Sequence, residues 1–330
     1  MTYRDLSDDE QVEVLRPVAL AAAEQFGLEV SALELVAHAF NTTFAVVGPE
    51  GSRHALRVNT NSVGSTTDVV AQQAWQHALA TESDVLVPDP LRTTGGHWYA
   101  DVDSAAFDEP LVATAASWLE GPDVGEIDAA AARELGRTMA RLHTHAQTWS
   151  LPEGGTLPRF DTPLFGDEDL LDTAPVLSGD GRAVIRRARD VATLAFALVH
   201  AGAALRPIHA DLHGANLKWS GHQLAVFDFD DAGLGLPVVD LAVTTFYLRG
   251  DDPEPEQALR AGYAEVLPFP EVEPDFEALV AARQLLLANS LLTVTTAELR
   301  RDAEQYLAVT VDRLRWWLKT GTFTRALPGP

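Results

Sequence analysis

Two polar motifs on either side of a predicted hairpin constrain this chain more than any other feature of its sequence. The first motif, IHADLHGANL, covers residues 208–217, and the second begins with VFDFDD, residues 226–231. Between them, LKW and LAVF have the apolar pattern of strands, and SGHQ is a turn signal. A hairpin here would bring Asn216 close to Asp228, so we expect both motifs to belong to one site.

The first motif alone is compatible with two chemistries. Alternate residues of an extended segment can ligate one metal ion, so His209, Asp211 and His213 could form the centre of a metal hydrolase. The motif also fits a phosphotransferase loop, in which a carboxylate orients a hydroxyl and an amide oxygen holds magnesium. The second motif favours the phosphotransferase, because the hydrolase leaves the downstream DFD unexplained and finds no further histidine cluster nearby.

The spacing of the acidic and amide residues supports the same choice. Asp211 and Asn216 are five positions apart, and Asp228 follows at the end of the second predicted strand. A kinase has a catalytic Asp, an Asn five positions later and a downstream Asp that binds metal. Mg²⁺ prefers oxygen ligands, which Asn216 and Asp228 can supply, and Asp211 can accept a proton from a hydroxyl.

The predicted secondary structure divides the chain into a small β-rich part and a larger helical part. Thr43–Val58 is predicted as a hairpin, and residues 110–121 as a buried strand that ends in a connecting loop near Ser117–Gly121. The acidic run Asp251–Glu256 is predicted as a solvated loop. Helices are predicted at residues 9–26 with Ser7 or Asp8 as the cap, and at 67–80, 126–149, 183–205, 238 onward, 275–295 and 298–318.

With these motifs the chain resembles the aminoglycoside phosphotransferase family, which also contains choline kinases, homoserine kinases and bacterial Ser/Thr kinases. The resemblance rests on H-x-D-x-H-x-x-N followed by DFDDA, and extends from FNTTFAVV and HALRV through SWLEG to VVDLA. It implies an α+β, bilobal protein-kinase-like fold, with a small antiparallel-sheet N-lobe (1–117) and a larger, mainly helical C-lobe (118–330). It also implies a phosphotransferase that uses ATP and Mg²⁺ and acts on an alcohol group of a small molecule.

The resemblance assigns roles to individual residues. Asp211 resembles the catalytic base, and Asn216 and Asp228 resemble the magnesium ligands. Arg57 stands in the place of a lysine that contacts phosphate. The other positions that resemble nucleotide-binding residues are Asn41, Thr42 and Thr43 in the phosphate-covering loop, and Ser117 and Leu119 in the segment whose backbone binds adenine.

Some polar residues resemble structural supports, and others have no assigned role. His209 resembles a scaffold histidine that packs on Phe229, and Asp240 resembles an aspartate that braces the catalytic loop from a helix start. His143 and His145, on a predicted helix, are assigned nothing. The roles of Asp230, Asp231 and His213 stay open.

Two positions depart from the kinase pattern. Arg57 replaces the phosphate-contacting lysine, and Gln72 stands where the helix glutamate that pairs with this lysine is expected. Arginine binds phosphate with a planar fork and stays charged without help. We therefore hypothesise that the side-chain oxygen of Gln72 orients Arg57 and that the enzyme is active without a charged partner on this helix.

Composition narrows the class of partner. The formal net charge of the 330-residue chain is −24, which repels nucleic acid, and we find no basic patch. This charge would attract a cationic acceptor, although acidic surfaces also keep proteins soluble, which is the simpler explanation. The chain has no cysteine, no leader pattern at its N-terminus and no apolar segment of membrane-spanning length. We expect a cytoplasmic monomer or homodimer with no nucleic acid or membrane partner.

The sequence leaves the acceptor open. Homoserine, choline-type alcohols, aminoglycosides and protein serines are all acceptors within the family that the chain resembles, and the preference between ATP and GTP is equally open. Two alternatives of another class are the metal hydrolase and a non-catalytic nucleotide-binding protein. Intact base and metal positions argue against the second of these, while a shared fold decides neither activity nor substrate.

Overall fold

The structure is a computed structural model that describes residues 2–61, 64–270 and 272–327. Its α-helices are α1 (Asp8–Gln25), α2 (Thr66–Glu82), α3 (Ala129–Ala146), α4 (Gly179–His200), α5 (Pro237–Leu248), α6 (Glu254–Ala264), α7 (Phe276–Ser290) and α8 (Ala297–Thr320). Its strands are β1 (Ala32–His38), β2 (Thr42–Val47), β3 (Arg53–Val58), β4 (Ala100–Val102), β5 (Leu111–Ser117), β6 (Arg206–Ile208), β7 (Leu217–Ser220), β8 (Gln223–Val226) and β9 (Gly233–Gly235).

An antiparallel sheet forms the N-terminal part, with the strand order β1-β2-β3-β5-β4. The predicted hairpin at residues 43–58 is confirmed as β2 and β3. The buried faces of these strands pack against α1, whose side chains join the same apolar core. Ser7 caps α1 in a capping box: the Ser7 N–H donates to the Glu10 carboxylate, and the Glu10 N–H donates to the Ser7 hydroxyl. The core of this part therefore depends on one helix covering one face of the sheet.

A larger core joins the C-terminal helices to the rest of the chain. Its members include Leu135 and Met139 of α3, Leu241 of α5 and Leu285 of α7, all fully buried. The helix α2 belongs to this core too, since Trp75 packs edge-on against Phe229 with ring centroids 5.5 Å apart. The domain boundary after residue 117 remains a prediction, and α2 connects the two parts by its packing.

Two small sheets bring the polar motifs together. The predicted hairpin between them is confirmed as β7 and β8, with Leu217 opposite Val226. In the second sheet β6 pairs with β9, with Ile208 opposite Gly233. Each small sheet thus joins a strand beside the first motif to a strand beside the second, which fixes the two motifs side by side.

The predicted α+β class is confirmed, with corrections to two elements. The helix predicted at 183–205 runs from Gly179 to His200, because the Ser178 hydroxyl caps its N-terminus and Gly202 beyond its end has φ of 74°. The acidic run predicted as a loop enters α6 at Glu254. Proline suits the first turn of a helix, because the N–H group that it lacks would have no partner within the helix there. Acidic side chains are favourable in the same turn, because they interact with the positive end of the helix dipole.

Within the part of the chain that the structure describes, every helix is too short or too polar to cross a lipid bilayer.

Two glycines let α3 and α6 approach each other closely. A Cβ atom added at Gly136 would overlap the backbone of Leu259, and one added at Gly262 would overlap the backbone of Arg133. Both obstructions are backbone atoms, so neither can be relieved by turning a side chain. The contact between these helices therefore requires glycine at both positions.

We expect Gly136→Ala and Gly262→Ala each to lower the free energy of unfolding by roughly 1–3 kcal/mol, the usual cost of overpacking. Gly179→Ala is the matched control, because a Cβ atom there meets no atom within 4 Å. The control should be neutral or gain up to about 1 kcal/mol, since alanine favours helix more than glycine does. Urea denaturation measures all three, and equal stability of test and control variants would contradict the close approach.

Candidate active site

The loop after β6 is held by a buried carboxylate. Asp240, in the first turn of α5, is fully buried, and its Oδ1 accepts a hydrogen bond from the Ala210 N–H at 2.7 Å. Its Oδ2 accepts a longer bond from the His209 N–H at 3.4 Å. Ala210 has φ of 64°, which is costly for a residue other than glycine. Asp240 thus braces the loop, as we expected.

His143 holds the carboxylate of Asp240 in turn. Its Nε2 lies 2.9 Å from Asp240 Oδ2, and its Nδ1 lies 3.0 Å from the hydroxyl of Tyr263. Burial acts to raise the pKa of Asp240, but the hydrogen bonds from His143 and Ala210 hold this pKa below its usual value. His143 had no role assigned from the sequence, and the one available signal was its place on the buried face of α3.

Asp211 lies at the centre of a network of donors. Its Oδ1 forms an ion pair with Nη2 of Arg283 and accepts a hydrogen bond from the hydroxyl of Tyr247 at 3.1 Å. Its Oδ2 lies 3.4 Å from Nε2 of His213 and 3.2 Å from Nδ2 of Asn216. Burial acts to raise the pKa of Asp211, and Arg283 and His213 outweigh burial and lower it. The carboxylate is therefore charged and fixed in orientation.

Arg283 and Tyr247 were missed by the sequence analysis. Arg283 belongs to the apolar helix α7 and is only 6% exposed. Tyr247 lies near the end of α5, and its hydroxyl is 2.9 Å from Nη2 of Arg283. A charge in the middle of a helix as apolar as α7 was the available signal, because a buried charge needs a partner.

His209 is not a metal ligand, which argues against the metal hydrolase. Its Nε2 donates to the carbonyl of Phe227 at 3.0 Å, and its Nδ1 accepts from the Asp211 N–H at 3.3 Å. Both ring nitrogens are therefore engaged. The ring also packs against Phe229 with centroids 4.6 Å apart, which agrees with the expected scaffold role.

Arg57 reaches from β3 to the second motif. Its Nη1 pairs with Oδ1 of Asp228, and its Nη2 lies 2.5 Å from Oδ2 of Asp230. Burial acts to raise the pKa of Asp228, and the charge of Arg57 lowers it well below its usual range. Burial and the charge of Asp228 raise the pKa of Asp230. The guanidinium is thus the counter-ion of Asp228 and a hydrogen-bond donor to Asp230 across the cleft.

The hypothesis that Gln72 orients Arg57 is wrong. The Gln72 side chain donates from Nε2 to the carbonyl oxygens of Asp230 at 2.6 Å and Ala232 at 3.1 Å. In the described residues no hydrogen bond joins it to Arg57. Backbone carbonyls accept the amide hydrogens of glutamine but would repel a glutamate, which explains why a neutral residue stands here.

The loop between β1 and β2 contacts the second motif through one of its three predicted residues. Asn41 donates from Nδ2 to Asp230 Oδ2 at 2.9 Å. Thr43 lies opposite Arg57 in the β2–β3 register, next to the cleft. Thr42 differs, since it is fully buried and its hydroxyl lies 2.7 Å from Nδ1 of His38. Its side chain therefore does not reach the cleft.

Ser117 at the end of β5 and Leu119 beyond it differ in the partners of their backbone. Ser117 is bound on both sides to Asp89, since its N–H donates to the Asp89 carbonyl at 2.9 Å and its hydroxyl accepts from the Asp89 N–H at 2.8 Å. The backbone of Leu119 has no hydrogen bond to any described residue. Leu119 rather than Ser117 therefore has the backbone groups available to a ligand.

Asn216 and Asp231 complete the polar lining. Asn216 donates from Nδ2 to the carbonyl oxygen and to Oδ2 of Asp211, which leaves its amide oxygen free to bind a cation. Asp231 is exposed and forms no ion pair with a described residue. No group of three or more His, Asp or Glu residues in the described chain has the arrangement of a metal site.

Comparison with known proteins identifies relatives of this chain. The model of the phosphotransferase enzyme family, APH, matches residues 32–278. A homoserine kinase from Janthinobacterium sp. (strain Marseille) is 30% identical over 202 residues, which are 58% of this chain and 59% of the relative. The chain spans 66%, 59% and 67% of the lengths of three curated relatives.

Solved structures agree with this comparison. A microcompartment-associated aminopropanol kinase has a TM-score of 0.76 and 25% identity, with 93% of this chain and 99% of that one covered. An amicoumacin kinase solved with AMP-PNP and Ca²⁺ has a TM-score of 0.73 and 17% identity over 92% of this chain and 96% of that one. The bilobal kinase-like fold is thereby confirmed. With three quarters of its length matched by the family model, the chain belongs to the phosphotransferase enzyme family.

Proposed function

We propose that this protein is a kinase that transfers the γ-phosphate of ATP, in the presence of Mg²⁺, to a hydroxyl group of a small molecule. One observation carries the proposal. In a single cleft, the carboxylate of Asp211 adjoins the amide of Asn216, while Asp228 and Asp230 face Arg57 from the other part of the chain. Phosphoryl transfer needs an oriented acceptor oxygen on one side and cationic contacts to phosphate on the other.

Asp211 orients and deprotonates the acceptor in this proposal. Arg283 and Tyr247 occupy its Oδ1. Its Oδ2 has only the longer contacts to Asn216 at 3.2 Å and His213 at 3.4 Å, so Oδ2 is the oxygen that accepts a hydrogen bond from the acceptor hydroxyl. The hydroxyl oxygen attacks the γ-phosphorus as its proton passes to Asp211, and the bond to the leaving ADP oxygen breaks. The carboxylate is ionised and held in place before the acceptor arrives, which favours a productive orientation.

The oxygen ligands suit magnesium in type, although Arg57 occupies two of them. Asp228 and Asp230 offer carboxylate oxygens, and Asn216 offers an amide oxygen. The bound nucleotide and metal would supply the phosphoryl group and the charge that screens it. Arg57 would then leave the carboxylates and turn toward the phosphates, because a metal ion replaces it as their counter-ion.

Adenine has a place beside Leu119, whose backbone groups have no partner in the described chain. The phosphate end would lie near Thr43 and Arg57, which face each other across β2 and β3. The amicoumacin kinase relative was solved with an ATP analogue, which supports ATP as the donor. A kinase that depends on ATP works where ATP is made, so we place this protein in the cytoplasm.

The acceptor in this proposal is a small hydroxylated molecule rather than a protein. The similar proteins are named as kinases of homoserine, aminopropanol and amicoumacin, all of them small molecules. An assay of ATP consumption against amino alcohols, hydroxy amino acids, aminoglycosides and a generic protein substrate tests this choice. Turnover of the protein substrate alone would overturn it.

Asp211→Asn should lower the rate of phosphoryl transfer by about 10²–10⁴-fold, the usual contribution of a general base. Nucleotide affinity should stay within a few-fold of wild type, because Asp211 lies on the acceptor side. Steady-state kinetics on the acceptor found by the assay and calorimetry with AMP-PNP measure the two quantities. A wild-type turnover rate in this variant would rule out Asp211 as the base.

Asp228→Ala should weaken Mg²⁺-dependent ATP binding more than Asn216→Ala does, because a carboxylate neutralises charge and an amide does not. Calorimetry with and without Mg²⁺ separates the metal-dependent part of the affinity. Affinity measured without metal serves as the control for a damaged nucleotide site. If the metal-dependent part is unchanged in both variants, neither residue is a ligand.

Arg57→Ala should raise the dissociation constant for Mg²⁺–ATP by roughly 10–100-fold, the loss expected for a charged hydrogen bond. The same change should tighten the binding of Mn²⁺ alone, because Arg57 no longer competes for Asp228 and Asp230. Electron paramagnetic resonance of free Mn²⁺ measures the second effect. Gln72→Ala is the control, since its bonds go to backbone carbonyls, and it should leave Mn²⁺ affinity unchanged.

A further inference from the structure

The buried guanidinium of Arg283 has one nitrogen with no partner. Its Nε and Nη2 bond the hydroxyl of Tyr247, and Nη2 also pairs with Asp211. Its Nη1 makes no hydrogen bond to any described residue, yet it is not among the buried atoms cut off from solvent. A residue that is only 6% exposed thus keeps a free donor at the surface of the cleft.

This free donor lies on the acceptor side of the site. Arg283 is in direct contact with Asp211, which orients the acceptor hydroxyl in the proposed reaction. The other guanidinium in the cleft, that of Arg57, lies on the nucleotide side and is taken by Asp228 and Asp230. An acceptor whose hydroxyl reaches Asp211 would therefore bring its remaining groups within reach of Arg283.

The helix that carries Arg283 points no other polar side chain at this position. Its Gln284 bonds the hydroxyl of Thr310 on α8 at 2.7 Å, and its Asn289 bonds the backbone of Glu168 and Leu170 at 2.8 and 2.9 Å. Gln284 and Asn289 thus bind other parts of the protein, while the side chain of Arg283 points into the cleft. Burying a charged side chain costs free energy, so we infer that the position of Arg283 reflects a role in binding as well as in packing.

A free carboxylate lies at the same end of the cleft. Asp231 makes no hydrogen bond and no ion pair with the described residues, and it is exposed. The charges of Asp211 and Arg283 act on its carboxyl group more strongly than those of Asp228 and Arg57, so Asp231 lies nearer the acceptor side than the nucleotide side. The acceptor side thus offers one donor nitrogen, Nη1 of Arg283, and one carboxylate, that of Asp231, that have no partner in the described chain.

We propose that the acceptor is a small hydroxy amino acid, with its carboxylate bound to Nη1 of Arg283 and its ammonium group to Asp231. This inference rests on the proposed kinase function and adds the chemical class of the acceptor. The net charge of −24 disfavours an acceptor that is only an anion, because the chain repels it at long range. Nη1 of arginine carries two N–H groups, so it can donate to a carboxylate while Nε and Nη2 keep their bonds to Tyr247 and Asp211.

The test compares acceptors that differ by one charged group. L-Homoserine, 3-aminopropan-1-ol and 4-hydroxybutanoate form one set, and L-serine, ethanolamine and 3-hydroxypropanoate form a second set with a shorter chain. With wild-type protein, Mg²⁺ and ATP, we expect the amino acid of one set to have the lowest KM. Removal of either charged group should raise KM by about 10–100-fold, as for a lost charged hydrogen bond.

Variants assign each charge to its residue. Arg283→Met should raise KM for the amino acid and the hydroxy acid by about 10–100-fold and leave KM for the amino alcohol within about threefold. Asp231→Asn should raise KM for the amino acid and the amino alcohol and leave KM for the hydroxy acid nearly unchanged. Arg283→Lys should restore part of the lost affinity, because it keeps the charge. Tyr247→Phe is the comparison, since it removes a contact of Asp211 and keeps the cation, so it should lower kcat equally for all acceptors.

The outcomes separate this inference from the kinase function. Equal changes of KM for all three acceptors in Arg283→Met, or a wild-type preference for the amino alcohols, would overturn the inference. If wild-type protein binds Mg²⁺–ATP but phosphorylates no member of either set, the inference fails and the kinase function stands. If it binds no Mg²⁺–ATP, the proposed function itself fails. Should Arg283→Met not fold, Arg283→Lys and Asp231→Asn give the same decision.

Discussion

The buried carboxylate of Asp240 is the interaction on which the site depends. It accepts the backbone N–H groups of His209 and Ala210, and Ala210 has a left-handed conformation that needs such support. His143 anchors the carboxylate from α3. Breaking a buried pair of this kind costs about 3–5 kcal/mol. The direction of Asp211, one residue further on, follows from this anchor, because the loop has no regular structure of its own.

Two arginines organise the cleft, and each binds a different set of its acidic side chains. Arg57 comes from the N-terminal sheet, neutralises Asp228 and bonds Asp230, whereas Arg283 comes from α7 and neutralises Asp211. Without such counter-ions, four neighbouring carboxylates would repel one another and raise each other's pKa. The arrangement separates a side suited to phosphate from a side suited to the acceptor. Each arginine therefore stabilises the folded site, and each is positioned to bind a ligand, Arg57 on the phosphate side and Arg283 on the acceptor side.

Membership in a family of kinases leaves the acceptor undecided, because one fold carries sites for many substrates. The departures from the kinase pattern illustrate how such a site diverges. Gln72 replaces a charged residue and bonds two backbone carbonyls, so the second motif is held by neutral contacts. Arg57 has taken its charge partners from Asp228 and Asp230 instead. These substitutions keep the fold and alter which groups must move when a ligand binds.

The sequence by itself determined the α+β class, the hairpin between the motifs, the family and the approach of Asn216 to the second motif, since local patterns and short spacings carry this information. It also indicated the bracing role of Asp240. Only the tertiary structure decided the partners of Arg57 and Gln72, the burial of Thr42 and the presence of Arg283 beside Asp211. Arg283 lies 72 positions beyond Asp211 in the chain. No local pattern encodes such a contact, because it arises from the packing of α7 against α5.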